Sequence, residues 1–259
     1  THPDLLENIW VNQGEIPEWA FVASEVNSNL DSYVSAMEIN TYMATEDDLN
    51  SDGISNIKDA LFSVIDSPFM DGIDNDGNGY IDDLIGWDVC GESIGIPAPD
   101  NDPFPKEGMQ NDSEWAHGTH VAGILAAVTD NGIGIASTMF TGKILSVKAS
   151  GEKKINGEDI TEPTINNGYP GITYAAKAAC PNPPDCQVRT IINNSWGGAV
   201  YDPLEQAVIN NAYNTYHAIV VAAAGNGVED SNQEEYSPHY PASYENVVSV
   251  CPLNIVGKW

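Results

Sequence analysis

Short apolar runs alternate with helical segments through the second half of this chain, and this pattern predicts its fold. Helices are expected at about 117–128, 167–178 and 203–215, and apolar strands at about 143–149, 188–193, 218–224 and 246–251. Short apolar strands separated by helices are typical of a parallel sheet that is covered on both faces. We therefore predict an α/β fold, a three-layer sandwich with a mostly parallel central sheet.

The first half of the chain lacks this regularity. Residues 1–14 predict a turn and a short extended run, and residues 15–70 show helical stretches near 29–45 and 54–65 but no strand periodicity. Residues 71–112 are rich in Asp, Asn, Gly and Pro, which is the composition of turns. We expect 15–70 to be an insertion that lies on the surface and carries a calcium-loop-like segment, within one domain that spans 1–259.

The charge balance excludes some classes of partner. The chain of 259 residues carries 38 acidic and 9 basic side chains, a formal net charge of −29. Such a surface argues against nucleic acids and anionic membranes as partners. No apolar run approaches the roughly 18 residues that a membrane helix needs. The sequence opens on Thr1-His-Pro-Asp4, without an initiator Met or a signal peptide, which indicates an internal piece of a longer product.

The four cysteines predict one local disulfide. Cys180 and Cys186 enclose a short Pro-rich loop, and a bridge between them suits an oxidising compartment. A C-x5-C pair without a nearby His is a poor metal site. Cys90 and Cys251 either pair with each other or stay free, and their positions in the sequence do not decide between these alternatives.

Two histidines, His117 and His120, stand at the start of the apolar helix predicted at 117–128. They could be satisfied structural side chains, a zinc pair, or a general base with a structural neighbour. Helical zinc pairs use an i, i+4 spacing with a Glu between them, whereas this pair is i, i+3 around Gly118 and Thr119. An imidazole suits the role of general base, because its unperturbed pKa lies near neutral pH.

The surrounding motifs decide between these alternatives. They are His-Gly-Thr-His-Val-Ala-Gly at 117–123, Ile-Asn-Asn-Ser-Trp-Gly-Gly at 192–198, Val-Val-Ala-Ala-Ala-Gly-Asn at 220–226, Tyr-Pro-Ala-Ser-Tyr-Glu-Asn-Val-Val-Ser-Val at 240–250, and His-Pro-Asp-Leu at 2–5. Together and in this order, they resemble the subtilisin-like serine proteases, the subtilases. The resemblance covers nearly all of the chain except 15–70.

The resemblance implies a secreted or cell-surface serine endopeptidase that acts on extracellular polypeptides. It makes His117 the general base and His120 a structural neighbour. It makes Asn226 a side-chain donor to the oxyanion of the tetrahedral intermediate. It assigns Ser195, Trp196 and Gly197 to the segment that binds the substrate backbone. It also leaves room for a pro-peptide or further domains outside these residues.

The rest of the serine triad is missing from the sequence. The family's aspartate lies in D-[ST]-G and its nucleophile in G-T-S-x-A, and neither motif occurs in these 259 residues. Ser195 sits in N-N-S-W-G-G and is therefore not the nucleophile. We expect a fragment that has little turnover alone, because serine and histidine act as a unit. The alternative is a non-catalytic, calcium-dependent adhesion or assembly module on the same fold, and the flanking motifs discriminate the two.

Two acidic loops resemble the EF-hand and predict calcium. In the first, the ligands are Asp74, Asp76, Asn78 and the Tyr80 carbonyl, with Gly79 at the sharp turn. The twelfth place, which normally holds the closing acid, is Ile85, so either Asp82 or Asp83 would have to close the site. The alternative for such a segment is a flexible acidic turn.

The second EF-hand-like loop spans 48–59, with Gly53 at the turn. Its ligands are expected to be Asp48, Asn50, Asp52, Ile54 through its carbonyl, and Asp59. A third calcium site is implied by the resemblance to the subtilases, whose calcium loop matches 128–135 and would use Asn131 and Asp4. Calcium at these loops would stabilise the fold by binding only the folded state.

Overall fold

The computed structural model describes residues 2–91, 98–105, 115–155, 158–165, 167–183, 185–186, 189–226 and 237–252. The α-helices are α1 Glu18–Val22, α2 Ala36–Met43, α3 His117–Ala126, α4 Gly168–Ala178 and α5 Pro203–Asn214. The strands are β1 Gly86–Asp88, β2 Ser146–Lys148, β3 Ser150–Ile155, β4 Glu158–Ile165, β5 Ile191–Asn194, β6 Ile219–Ala223 and β7 Val247–Val250.

The chain forms two compact units, Thr1–Asn167 and Gly168–Trp259, which are described separately as unit 1 and unit 2. Parts of the predicted loop region 71–112 and the first residue of the predicted strand 188–193 lie outside the described residues. None of the described helices is long and apolar enough to cross a membrane.

The hydrophobic core of unit 1 comes largely from the segment 15–70. Val34, Ile39, Met43 and Ile57 are fully buried in one cluster that also contains Leu84. The segment predicted as a surface insertion therefore contributes most of the buried side chains of this cluster. Its apolar side chains come from short helices and irregular loops, so they reach a common interior without a periodic sequence pattern.

The helices in this segment are shorter than predicted. The stretch 29–45 yields α2, which begins after a capping box formed by Ser35 and Glu38. The stretch 54–65 yields only a 3-10 turn, Asp59–Leu61. The short helix α1 is not predicted, because five residues are too few to show a helical period.

The short strands of unit 1 pair in two separate sheets. The pair β1–β2 is parallel, and Lys148 forms a buried ion pair with Asp88 at 2.7 Å. The pair β3–β4 is an antiparallel hairpin that the sequence does not predict. Its residues include many charged and polar types, and the apolar alternation typical of a strand is missing.

Unit 2 contains a parallel sheet of three of the four strands that the sequence predicts, whereas the fourth, near 143–149, is β2 and pairs with β1. Its three strands have the order β5-β6-β7 and are all parallel, which confirms the α/β class. The helices α4 and α5 pack against each other and against β5 and β6. Side chains along β5 alternate between exposed and buried, whereas the sequence predicts burial on both faces. The predicted disulfide, Cys180–Cys186, is present. Cys90 is buried and Cys251 is exposed.

Candidate active site and calcium loops

His117 is the first residue of α3, and its side chain is exposed. The preceding Trp115 is buried and fixes the chain where it enters the helix. His120 lies one turn further on and is also exposed. Among the described residues, neither histidine belongs to a group of three or more His, Cys, Asp or Glu side chains that could hold a metal ion.

The helix α3 is held mainly at its other end. Asn8 donates its side-chain amide to the Ala126 carbonyl at 3.0 Å, and the N–H groups of Thr138 and Met139 donate to carbonyls of the last turn. These contacts satisfy carbonyls that a helix leaves unpaired. The apolar sequence of this helix is typical of a buried one, but Ile124 is 62% exposed, and Ala126 is the buried residue of α3.

The predicted substrate-binding segment follows the carboxyl end of β5 in unit 2. The Gly198 N–H donates to the Tyr240 carbonyl at 2.8 Å, and the Tyr240 N–H donates back to Gly198 at 2.7 Å. A Cβ atom on Gly197 would collide with the ring of His239. Gly197 is therefore required by this close packing, and Ser195–Gly197 form a fixed edge after the strand.

Trp196 is positioned by aromatic contacts. Its ring meets Tyr169 edge-on at 5.4 Å between centroids and lies over Gly168, where a Cβ atom would collide with it.

The Tyr244 hydroxyl donates to Glu205 at 2.6 Å, and burial together with this contact raises the pKa of Tyr244 to about 12. Burial and Glu205 also raise the pKa of Tyr169. Both hydroxyls therefore stay protonated at neutral pH.

Asn226 stands at the same edge of the sheet as Ser195–Gly197. In the parallel pairing of β5 with β6, Asn194 lies opposite Ala222, so both segments leave the sheet at the carboxyl ends of neighbouring strands. The chain turns at Gly225, which has a φ of +96°, and Asn226 follows with an exposed side chain. Gly227 lies outside the described residues. Unit 2 thus holds the expected oxyanion donor and the substrate segment, whereas His117 belongs to unit 1.

The loop 128–136 wraps around Asp4. Asn131 donates its side-chain amide to Asp4 at 2.7 Å, and the Ile135 N–H donates to the other carboxylate oxygen at 3.0 Å. These two hydrogen bonds and the nearby His2 lower the pKa of Asp4. The structure therefore brings together Asp4 and Asn131, the two side chains expected at the third calcium site. The loop also lines a cavity of about 290 Å³.

The loop 74–83 has the backbone of an EF-hand turn. Gly79, at the sixth place, has a φ of +97°, as the predicted sharp turn requires. Asp74 accepts hydrogen bonds from the N–H groups of Gly77, Asn78 and Gly79 at 2.8–3.1 Å. The Asn78 oxygen accepts from the Tyr80 N–H at 2.8 Å. These contacts close the loop upon itself.

Of the two predicted closing acids, Asp83 turns into this loop and Asp82 turns away. The Asn78 amide donates to Asp83 at 3.1 Å and to Asp76 at 3.1 Å. Asp82 instead accepts from the N–H groups of Asp71 and Gly72. The sequence alone does not show which of the two side chains faces the loop. Asp82 has a backbone φ of +53°, and its side chain points in a different direction from that of Asp83.

Glu15 is a member of this site that the sequence does not indicate. Single oxygens of Glu15, Asp76 and Asp83 lie within 4.8 Å of one another. Burial raises the pKa of Glu15 to about 7, against the lowering effect of hydrogen bonds from Asp76 and Asn75. No motif marks Glu15, which is one of 38 acidic residues and stands far from the loop in sequence.

The loop 48–59 also closes on its own backbone. Gly53 has a φ of +89°, and Asp48 accepts from the Asp52 and Gly53 N–H groups. Asp59 is fully buried and accepts from the N–H groups of Leu49, Asn50 and Asn56. The carboxylate of Asp59 thus holds the two ends of the loop together. Asn50 and Asp52 accept from the N–H groups two residues on, at Asp52 and Ile54.

Comparison with known proteins agrees with these features. The model of the Subtilase family matches residues 2–255. The chain belongs to the subtilase family. Thermitase from Thermoactinomyces vulgaris is 36% identical over 165 residues, which cover 64% of this chain and 46% of thermitase.

Two further subtilases are similar over different shares of the chain. The extracellular basic protease of Dichelobacter nodosus is 30% identical over 219 residues, covering 76% of this chain and 33% of that protein. The major intracellular serine protease of Bacillus subtilis (strain 168) is 36% identical over 139 residues, which cover 54% of this chain and 38% of that protein. The matches therefore span less than half the length of each of these three subtilases.

Proposed function

We propose that the protein containing this chain is a serine endopeptidase that cleaves extracellular polypeptides, with His117 as its general base. The placement of the functional side chains supports this proposal. His117 is exposed at the first residue of α3, where it can accept a serine proton and return it to the leaving amine. Asn226 and Ser195–Gly197 share one edge of the sheet, where a peptide carbonyl could meet the amide donor.

The activity is tested with the full-length protein, because the chain spans only part of its relatives. The protein is expected to hydrolyse an unstructured polypeptide and to be blocked by a serine-directed phosphonate or sulfonyl fluoride. His117→Ala should lower kcat by about 10⁶-fold, the loss known for the subtilisin histidine. Retained hydrolysis in this variant would contradict the proposal.

His120→Ala is the matched control, one turn along the same exposed helix face. A general base at His117 predicts that this variant keeps most of the activity. A zinc hydrolase would need both ring nitrogens, so loss of activity in both variants, with restoration by zinc, would favour a metal mechanism. A folded protein that binds calcium but does not hydrolyse polypeptides would favour the adhesion or assembly module.

We also infer that the protein acts outside the cell. The disulfide Cys180–Cys186 supports this inference, because such bonds persist in oxidising compartments. The relatives named above include one extracellular and one intracellular protease, so the compartment needs its own test. The protein should appear in the culture medium, and Cys180 and Cys186 should resist alkylation until they are reduced. Ready alkylation of both cysteines in the native protein would contradict an oxidising compartment.

We propose that calcium binds the loops 74–83, 48–59 and 128–135. The EF-hand-like glycine geometry in the first two loops supports this assignment, and so does the contact between Asp4 and Asn131 in the third. Oxygen donors of this kind suit calcium. Bound calcium would neutralise carboxylates and fix the loops. Calcium titration of the chelator-treated protein tests the assignment, and the absence of any binding would remove it.

A further inference from the structure

One buried carboxylate oxygen beside loop 74–83 has no hydrogen-bond partner. Glu15 is only 3% exposed, and its Oε1 accepts from the N–H groups of Asn75 at 2.9 Å and Asp76 at 3.2 Å. Its Oε2 is buried and accepts no hydrogen bond. A buried polar atom left without a partner is costly to the folded state. The position therefore favours a ligand that Oε2 can bind.

The other acidic groups around Glu15 point to the charge of that ligand. Oxygens of Glu15, Asp76 and Asp83 lie within 4.8 Å of one another, and Asp83 is fully buried. Negatively charged carboxylates this close repel one another. Asn12 donates its amide to both Asp76 and Asp83, at 3.0 and 2.7 Å, but it is neutral and cannot balance their charge. A cation among the three carboxylates would do so.

We propose that Glu15 and Asp83 are the closing carboxylates of a calcium site in loop 74–83, which they complete together with Asp76. The proposal rests on the calcium binding proposed above for this loop and adds a ligand from a distant segment. The EF-hand takes its closing acid from the twelfth place, but here that residue is Ile85, which is 2% exposed in the hydrophobic cluster. Glu15, about 60 residues earlier in the chain, supplies the missing acid.

The backbone before Glu15 is shaped to bring it to the loop. Asn12 accepts the Gly14 N–H at 3.1 Å, which turns the chain just before Glu15. A Cβ atom at Gly14 would collide with the Cβ of Asp76, so only glycine allows this approach. The bound ion would therefore tie residues 12–15 to the loop 74–83.

Glu15→Gln tests the proposal in the full-length protein carrying His117→Ala, which prevents self-digestion. Calcium binding to the chelator-treated protein is measured by isothermal titration, and melting temperatures are measured with and without calcium. We expect Glu15→Gln to weaken one calcium site by at least roughly 10–100-fold, the loss that is typical even for groups that only support a metal ligand. Glu18→Gln, an exposed acid three residues away on α1, should bind calcium as the parent does.

The melting temperature without calcium separates a ligand role from a packing role. Glutamine replaces the unpartnered Oε2 by an amide donor facing two acids, so Glu15→Gln should melt no lower than the parent in chelator. It should melt below the parent in calcium. A variant that melts lower in chelator yet keeps every calcium site would overturn the proposal and make Glu15 a structural side chain.

The outcomes also distinguish this proposal from the broader one. Equal calcium affinity in Glu15→Gln and the parent overturns the role of Glu15 and leaves calcium binding by the loop intact. A parent that binds no calcium overturns both proposals. If Glu15→Gln does not fold, calcium binding by Glu15→Asp tests the proposal instead. This variant keeps the charge, but its side chain is one methylene shorter, so the carboxylate lies further from the site. An unchanged calcium affinity in Glu15→Asp would contradict a direct ligand.

Discussion

Single glycines determine how closely the loops of unit 1 approach their acidic partners. Gly134 has a φ of +57°, and a Cβ atom there would collide with the Asp4 carboxylate. Gly132 has a φ of +75°, but a Cβ atom there would meet nothing within 4 Å. Both positions have a left-handed backbone, but only at Gly134 would an added Cβ atom meet a neighbour. Substitution at Gly132 is therefore a matched control for substitution at Gly134.

Gly134→Ala should destabilise the protein more than Gly132→Ala does. Both substitutions cost about 1–2 kcal/mol for a left-handed backbone, and overpacking against Asp4 adds about 1–3 kcal/mol for Gly134. The free energy of unfolding from urea titrations of the two variants measures the difference. Equal destabilisation would mean that the loop 128–136 is not docked on Asp4.

The amide of Asn226 is expected to act on the transition state. In the full-length protein, Asn226→Ala should lower kcat by about 10²–10³-fold with little change in KM. Removal of the corresponding oxyanion donor in subtilisin lowers kcat by this amount. Asn214→Ala, at an exposed asparagine in the last turn of α5, is the control. A change confined to KM would assign Asn226 to ground-state binding.

The role of a residue is predictable from the sequence where a local motif contains that residue. It is not predictable where only the fold brings the residue to its partners. Gly79 and Gly53 have the positive φ values that their EF-hand positions predict. Glu15 joins the same loop through a turn at Gly14, a contact across the chain that no local pattern encodes. The choice of Asp83 over Asp82 likewise depends on a backbone angle.

At the scale of elements, α5 shows how one side chain starts a helix. Asp202 accepts the Leu204 N–H at 2.8 Å, and Pro203 occupies the first helical position. Asp202→Ala should lower the free energy of unfolding by about 1 kcal/mol, whereas Asp202→Asn, which caps nearly as well, should lower it much less. Thermal or urea unfolding measures both. Equal losses would mean that the charge matters and the cap does not.

The helices α3, α4 and α5 lie within a few residues of their predicted positions, and the limit of α5 is marked by its cap, Asp202, and by Pro203. The strands β5, β6 and β7 are shorter than the apolar runs that predict them, since each run continues into the flanking turns. The hairpin β3–β4 is absent from the prediction, because its order comes from backbone pairing between polar segments. The core of 15–70 was also missed, since its side chains converge from irregular loops.

At the scale of the whole molecule, the net charge of −29 leads us to predict that stability rises when cations bind. Calcium at 100 times its dissociation constant should add about 2.7 kcal/mol per occupied site. For a chain of this size, that corresponds to a rise in Tm of roughly 5–10 °C. Differential scanning calorimetry in calcium and in chelator measures the shift. Sodium chloride at equal ionic strength is the control for charge screening, and an equal shift in sodium would attribute the effect to screening alone.

The most direct test of the serine endopeptidase assignment is active-site labelling of the full-length protein by a fluorophosphonate, followed by mass spectrometry. We predict that one serine outside the Asn193–Gly198 segment is labelled in the parent and that His117→Ala abolishes the labelling. The His120→Ala variant should still be labelled. Labelling that persists in His117→Ala at the parent's rate, or labelling of Ser195, would contradict the account.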